Sequence, residues 1–290
     1  MSERSQWAGV RGTRSRAASF PAVELEGKRV LLSGATGGLG RAIAEALADQ
    51  GASLALSSRR EGELRDLARS LPGGARRHKA VVADLAKAGA AEKLVGEAGD
   101  VDVLVANAAL PGVGEIQNVP ARELTRTLRV NLEAPMLMAR AAIPSLIEKG
   151  RGHLVFVSSI NGKVATPRSA IYCATKFGMR GFALALREDL HPKGVAVSIV
   201  LPGFVREAGM FHDSGVKPPP GLGTVSPEKV GRSVVTAITR NRSEVEPATR
   251  RLRLASAIAH RYPELAARVQ RRGGAARIAD ELVAGHAGKK

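Results

Sequence analysis

The stretch Arg29-Val30-Leu31-Leu32-Ser33-Gly34-Ala35-Thr36-Gly37-Gly38-Leu39-Gly40 decides the fold. Its first five residues form a short apolar run, the pattern of a strand buried on both faces. A glycine-rich turn follows and opens directly into an Ala-rich helix over 41–50, ended by Gly51. Strand, tight turn and helix together gather unpaired backbone amides and the positive end of the helix at one point, where a pyrophosphate fits. Glycine is needed because a β-carbon would block close backbone approach. Gly34, Thr36, Gly37, Gly38, Leu39 and Gly40 are therefore candidate nucleotide contacts. A merely structural turn is the alternative; the strand before and the helix after favour the nucleotide.

The same alternation continues outward. Strands are expected at 53–57, 78–83, 101–106, 153–158 and 195–200, and helices at 61–70, 86–98, 121–149 (bent near Pro135), 172–190 and 227–240. The last strand is poorly marked, with Ser243-Glu244-Val245-Glu246 the best candidate. Repeated strand–helix units with apolar strands predict an α/β fold: a single-domain, doubly wound parallel sheet with helices on both faces and right-handed crossovers. This body is expected over 24–247, after an arm at 1–23 whose composition reads as disordered and before a basic amphipathic helical extension at 248–290.

Lys and Arg number 44 against 27 Asp and Glu in 290 residues, a net charge of +17. Residues 1–29 carry +3, 30–239 carry +7 and 240–290 carry +7, so the ends supply +10. A nucleic-acid reader would concentrate charge on its folded surface, and aromatics are only 3%; nucleic acid is not the expected partner. The lone Cys173 excludes an intrachain disulfide and a cysteine zinc site. The histidines show no metal-ligand spacing, and no metal is expected. The N-terminus lacks the apolar segment of a secretory signal, and no run is long enough to span a bilayer, which points to the cytoplasm.

Where the second strand ends, an acidic residue would bind a ribose hydroxyl and repel a 2′-phosphate. Ser57-Ser58-Arg59-Arg60 stands there instead. Ser58 and Arg59 are candidate phosphate contacts, and NADP(H) is favoured over NAD(H). Arg59 and Arg60 could also simply solvate the next helix start.

Tyr172 and Lys176 stand four apart at the start of a predicted helix and share a face. A free tyrosine has a pKa near 10, and a nearby ammonium stabilises the phenolate, making a plausible acid–base unit. Ser159 closes the fifth strand at the carboxyl edge of the sheet, where a hydroxyl can hold a carbonyl oxygen. Asn131 falls inside the long helix; asparagine is a mediocre helix former, so it has either a non-helical role or a solvated position.

Gly34-x-x-x-Gly38-x-Gly40, Asp84-Leu85, Asn107-Ala108-Ala109, Asn131, Ser159, Tyr172-x-x-x-Lys176 and Pro202-Gly203 occur in an order and spacing that resemble the short-chain dehydrogenase/reductase family. The resemblance covers roughly 24–240. It implies a Rossmann-like fold with a seven-stranded sheet, a nicotinamide cofactor and a homodimer or homotetramer. It implies that Tyr172 donates or accepts the substrate proton, Lys176 holds the nicotinamide ribose and lowers the tyrosine pKa, Ser159 orients the carbonyl or hydroxyl, and Asn131 holds a relay water. It further implies that Asp84 and Leu85 meet adenine, Asn107 and Ala108 stabilise the sheet centre beside the cofactor, and Pro202, Gly203 and Val205 flank the nicotinamide. Two departures stand out: Ala106-Asn107-Ala108-Ala109 keeps one Asn and lacks the family's Gly, and Arg206-Glu207-Ala208 stands where a carboxamide-binding Thr is common.

The loop 203–226 has the length and the Gly/Pro content of a lid, with Met210, Phe211 and Val216 suggesting an apolar substrate pocket. Cys173 reads as a small buried residue and His153 as structural. In the tail, Leu254, Ile258, Tyr262, Leu265 and Val269 recur at helical spacing beside arginines. Such a face suits an anionic membrane surface and a lipid-like substrate, or packing on the domain or a sister subunit. The expected activity is NADP(H)-dependent interconversion of a ketone and a secondary alcohol. The alternative is a non-catalytic NAD(P)-binding regulator whose basic termini touch nucleic acid or membrane.

Overall fold

The computed structural model describes residues 23–287; residues 1–22 of the expected N-terminal arm lie outside them. The strands are β1 (Arg29–Ser33), β2 (Ser53–Ser58), β3 (Lys79–Val82), β4 (Val103–Ala106), β5 (Gly152–Val157), β6 (Val195–Val200) and β7 (Glu244–Val245). They form one parallel sheet in the order β3-β2-β1-β4-β5-β6-β7. Strand order reverses between β1 and β4, and such a reversal opens a crevice at the carboxyl ends of the strands.

The helices are α1 (Gly38–Ala48), α2 (Glu61–Ser70), α3 (Gly74–Arg77), α4 (Ala90–Ala98), α5 (Ala121–Leu128), α6 (Ala134–Glu148), α7 (Ala170–Leu190), α8 (Gly209–Asp213), α9 (Pro227–Thr239), α10 (Arg250–Arg261), α11 (Pro263–Arg272) and α12 (Ala275–Ala287). One sheet face packs on α1, α2 and α9 through Leu32, Ile43, Leu64 and Val234; the other packs on α4, α6 and α7 through Leu31, Leu94, Met138 and Met179. Neighbouring strand residues such as Leu31 and Leu32 are thus both buried on opposite faces, which is why the strands read as unbroken apolar runs. Each such side chain contributes about 1.5–3 kcal/mol.

The structure moves several predicted boundaries. The helix after the phosphate turn begins at Gly38, inside the glycines, and the α4 helix begins only at Ala90, after Gly89 turns the chain at φ 72°. Pro135 is the second residue of α6 and directly follows the irregularity of the long helix, where its missing amide removes one helical hydrogen bond. The irregularity is a π-helical turn at Arg129–Glu133. It contains Asn131, which is 1% exposed, so the solvated alternative for that residue is excluded. Inside the loop 203–226, the short α8 and a bridge between Val205 and Val225 give order the sequence did not announce.

The weak last strand is real. Glu244 ion-pairs with Arg180 at 2.7 Å, and Lys163 bridges Glu244 and Glu246. Carboxylates normally count against a strand; here two cations from other parts of the chain, Lys163 and Arg180, meet them. No described helix is long and apolar enough to cross a membrane.

Candidate active site

β1 delivers the chain into the glycine turn. Gly34 has φ +67°, and a Cβ there would lie 2.8 Å from Ala108 Cα. A Cβ on Gly40 would lie 2.0 Å from the Gly34 carbonyl oxygen. The turn therefore closes on itself only without side chains. No side chain caps α1, whose N-cap is Gly37, and its first turn holds no acidic residue. Its first amides are left as donors at the positive end of the helix dipole. Gly40→Ala must push the turn open; we expect a stability loss of about 1–3 kcal/mol in thermal melts and at least about tenfold weaker nucleotide binding by titration.

Asn107 locks the turn to β4. Its Nδ2 donates to the carbonyls of Ser33 (3.2 Å) and Gly34 (3.1 Å). Ser33 Oγ accepts from the amides of Asn107 and Ala108. At the end of β2, Arg59 is exposed and has no hydrogen-bond or ion-pair partner among the described residues, whereas Arg60 donates to the Thr36 carbonyl (3.0 Å) and Oγ1 (3.1 Å) and pairs with Glu63 (3.0 Å). Arg60 thus buttresses the turn, a role the sequence reading did not assign.

α7 presents the acid–base pair. Lys176 is 2% exposed, and its Nζ donates to the Val157 carbonyl at 3.1 Å and lies 5.5 Å from the Tyr172 ring centroid. Burial pushes the ammonium down to about 8. Burial likewise pushes the Tyr172 phenol up to about 12, against the opposing hydrogen bond from Ser159. The direction at Tyr172 is opposite to the expectation from a neighbouring lysine. The ammonium lies against the ring face and spends a proton on Val157, so desolvation of the phenolate wins. Ser159 Oγ also accepts from the Asn161 amide at 3.1 Å, which fixes the hydroxyl.

Asn131 is anchored at both ends of its amide: Oδ1 accepts from the Leu110 amide (2.6 Å) and Nδ2 donates to the Leu110 carbonyl (2.8 Å). The π-helical turn swings the side chain inward to β4's exit.

A single cavity of about 950 Å³ unites these features. Every predicted cofactor contact from Gly34 to Gly40, with Ser58, Arg59, Asp84, Leu85, Asn107, Ala108, Pro202, Gly203 and Val205, lines it, as do Ser159 and Tyr172. Asn131 and Lys176 do not reach its surface; both lie buried behind it. Met210 and Phe211 line it, whereas Val216 is buried elsewhere. Cys173 is buried, and His153 is fully buried with Nε2 2.7 Å from Ser198 Oγ. The tail was the least legible part: Ile258, Leu265 and Val269 of its apolar stripe line the cavity, while Leu254 and Tyr262 do not.

An open α/β sheet with a glycine turn at its switch point and a Ser–Tyr–Lys cluster beside it defines the short-chain dehydrogenase class of oxidoreductase. The chain belongs to that family: the profile described as short chain dehydrogenase matches residues 28–217. It is similar to the ketoacyl reductase HetN of Nostoc sp. (34% identity over 225 residues, covering 76% of this chain and 78% of that protein). It is also similar to the 3-oxoacyl-[acyl-carrier-protein] reductase FabG of Rickettsia prowazekii (30%, covering 63% and 75%). Among solved structures it matches a metagenomic short-chain oxidoreductase in complex with NADP (TM-score 0.66, 30% identity, covering 78% and 100%). The chain is accordingly an NAD(P)-dependent oxidoreductase.

Proposed function

We propose that this chain interconverts a ketone and a secondary alcohol with NADP(H), Tyr172 being the proton donor and acceptor. The observation that carries the reading is that Tyr172, Ser159 and the glycine turn share one cavity. The cradle suits the cofactor: uncapped amides at α1 can hold a pyrophosphate, and Arg59, exposed and unpaired among the described residues, can hold a 2′-phosphate. Asp84 and Leu85 would meet the adenine and Pro202, Gly203 and Val205 the nicotinamide side, while Lys176, buried behind the cavity, would act through Tyr172. When bound, the nicotinamide group supplies a hydride in reduction or accepts one in oxidation.

A phenol held near 12 stays protonated through the neutral range. It favours reduction: Tyr172 Oη donates its proton to the carbonyl oxygen while Ser159 Oγ donates a hydrogen bond to the same atom. Alcohol oxidation needs the phenolate and is expected to accelerate as pH rises. Because the Asn131 side chain is committed to Leu110, we place the relay water on the main-chain side of the π-helical turn, with Asn131 as a positioning residue.

The test of the cofactor is Arg59→Ala. A charge-assisted phosphate contact contributes about 1.5–3 kcal/mol, so KM for NADPH is expected to rise about tenfold to hundredfold while KM for NADH stays within about twofold. Equal shifts for both would assign the phosphate elsewhere. Family resemblance supports a homodimer or homotetramer, and composition supports a cytoplasmic site. A membrane contact by the tail keeps support from one observation: Leu254 (65% exposed) and Tyr262 (55%) stand outside the cavity on the helix that carries Arg250, Arg253 and Arg261. The regulatory alternative has less support, because a DNA-binding regulator has no use for the Ser159–Tyr172–Lys176 cluster.

A further inference from the structure

The family profile ends at residue 217, yet one side of the cavity comes from α10, α11 and α12. Ile258, Leu265, Val269, Ile278 and Leu282 all line it. Three of them expose much of their surface, Ile258 46%, Leu265 50% and Val269 62%, and that surface borders the cavity. A contiguous apolar wall left uncovered beside a reacting centre marks a ligand site.

The helices are fastened to the parts of the chain that frame Tyr172. Arg168, four residues before Tyr172, donates to Asp280 on α12 at 2.7 Å and pairs with Glu115 at 2.6 Å. Asp280 thereby holds the Arg168 guanidinium above its ordinary pKa. Arg168 does this from φ +57°, a left-handed conformation that non-glycine residues rarely adopt. Gln270 on α11 donates to the Ala165 carbonyl at 3.0 Å. On the far side, Gly285 of α12 meets α8 so closely that a Cβ would lie 2.1 Å from the Ser214 carbonyl oxygen. The tail therefore spans the cavity from the loop between Ser159 and Tyr172 to the helix in the 203–226 loop.

We propose that α10–α12 form the substrate-selecting wall of this enzyme, and that the substrate carries an extended apolar chain on its ketone or alcohol carbon. The chain lies along Ile258, Leu265, Val269, Ile278 and Leu282, with Met210 and Phe211 also lining the space. Arg168 is a positioning residue that latches this wall through Asp280. The occupant is argued from continuity: the wall and Tyr172 bound the same cavity, so a chain attached to a carbonyl held at Tyr172 can lie along the wall. The proposal rests on the oxidoreductase reading given above.

Two measurements separate the two. The first is affinity of the full chain, without cofactor, for methyl ketones of increasing alkyl length, by calorimetry. Affinity should rise about threefold to fourfold per added methylene while the chain still fits. Affinity independent of length overturns the wall, whether or not the protein turns ketones over. The second is kcat/KM with NADPH for a long and a short methyl ketone. Absence of all turnover, with length-dependent binding intact, sinks the oxidoreductase reading and leaves the wall standing. Ile278→Trp, which fills the wall, should lower the long-to-short ratio of kcat/KM at least about tenfold. Asp280→Asn, which unlatches it with little change of volume, should lower the ratio in the same direction through KM rather than kcat. A ratio unchanged in both variants, each shown to be folded by its melting curve, overturns the proposal. So does retention on phosphatidylserine vesicles that Val269→Asp abolishes while chain-length dependence is absent, which would give this face to a membrane.

Discussion

Tyr172→Phe should lower kcat by at least about 10³-fold while NADPH affinity changes less than about threefold. The substitution removes one oxygen from a side chain whose ring is already packed, so the cavity and the glycine turn keep their shape. What is lost is the protonated group beside Ser159 that neutralises an oxygen developing negative charge. Acid–base catalysis by a placed side chain contributes about 10²–10⁴-fold, and Ser159 lines the same cavity beside the phenol. Steady-state kinetics beside a nucleotide titration reads both quantities. In the parent enzyme the reductive rate should show no loss from Tyr172 ionisation through the neutral range, since the phenol titrates near 12.

Lys176→Met should lower kcat about 10²–10⁴-fold and yet not lower stability. A lysine displaced from its ordinary 10.5 to about 8 records a buried cation that folding disfavours, by about 3 kcal/mol. Against this, the variant leaves the Val157 carbonyl without its donor, which costs about 1–3 kcal/mol. The melting temperature is therefore expected to hold or rise. The pH dependence has a definite sign. Between about 8 and 10.5 the unfolded chain keeps the lysine proton and the folded chain has released it. Stability from this group rises with pH across that window. The rise should vanish in Lys176→Met, and chemical denaturation at a series of pH values reads it directly.

The central sheet was legible because a doubly covered parallel strand leaves a local signature, a short and largely apolar run. The site was legible where its chemistry needs rare residue types at fixed spacing, as in the glycine turn and Tyr172-x-x-x-Lys176. What escaped the sequence depends on partners distant in the chain. Glu244 and Glu246 make β7 look like a loop until Lys163 and Arg180 are brought to them. The π-helical turn at Arg129–Glu133 looks like helix because a single extra residue per turn hardly alters the periodicity. Its local sign was Asn131, a mediocre helix former set between Val130 and Leu132. The ammonium of Lys176 was expected to act on the phenolate, and its commitment to Val157 is invisible without the fold. The apolar stripe of the tail was readable as a stripe, but which surface it covers was not. The latch between Arg168 and Asp280 joins residues 112 positions apart, a distance that no local pattern spans.

The central claim is that hydride and proton meet a ketone in this one cavity, with Tyr172 giving the proton. The most direct measurement is reduction of a methyl ketone with NADPH carrying deuterium at both positions of the nicotinamide C4, followed by mass spectrometry of the product. The account predicts one deuterium on the carbinol carbon with the parent enzyme and no labelled alcohol above background with Tyr172→Phe. Alcohol formed without the label, or labelled alcohol formed equally well by the Phe variant, would contradict it.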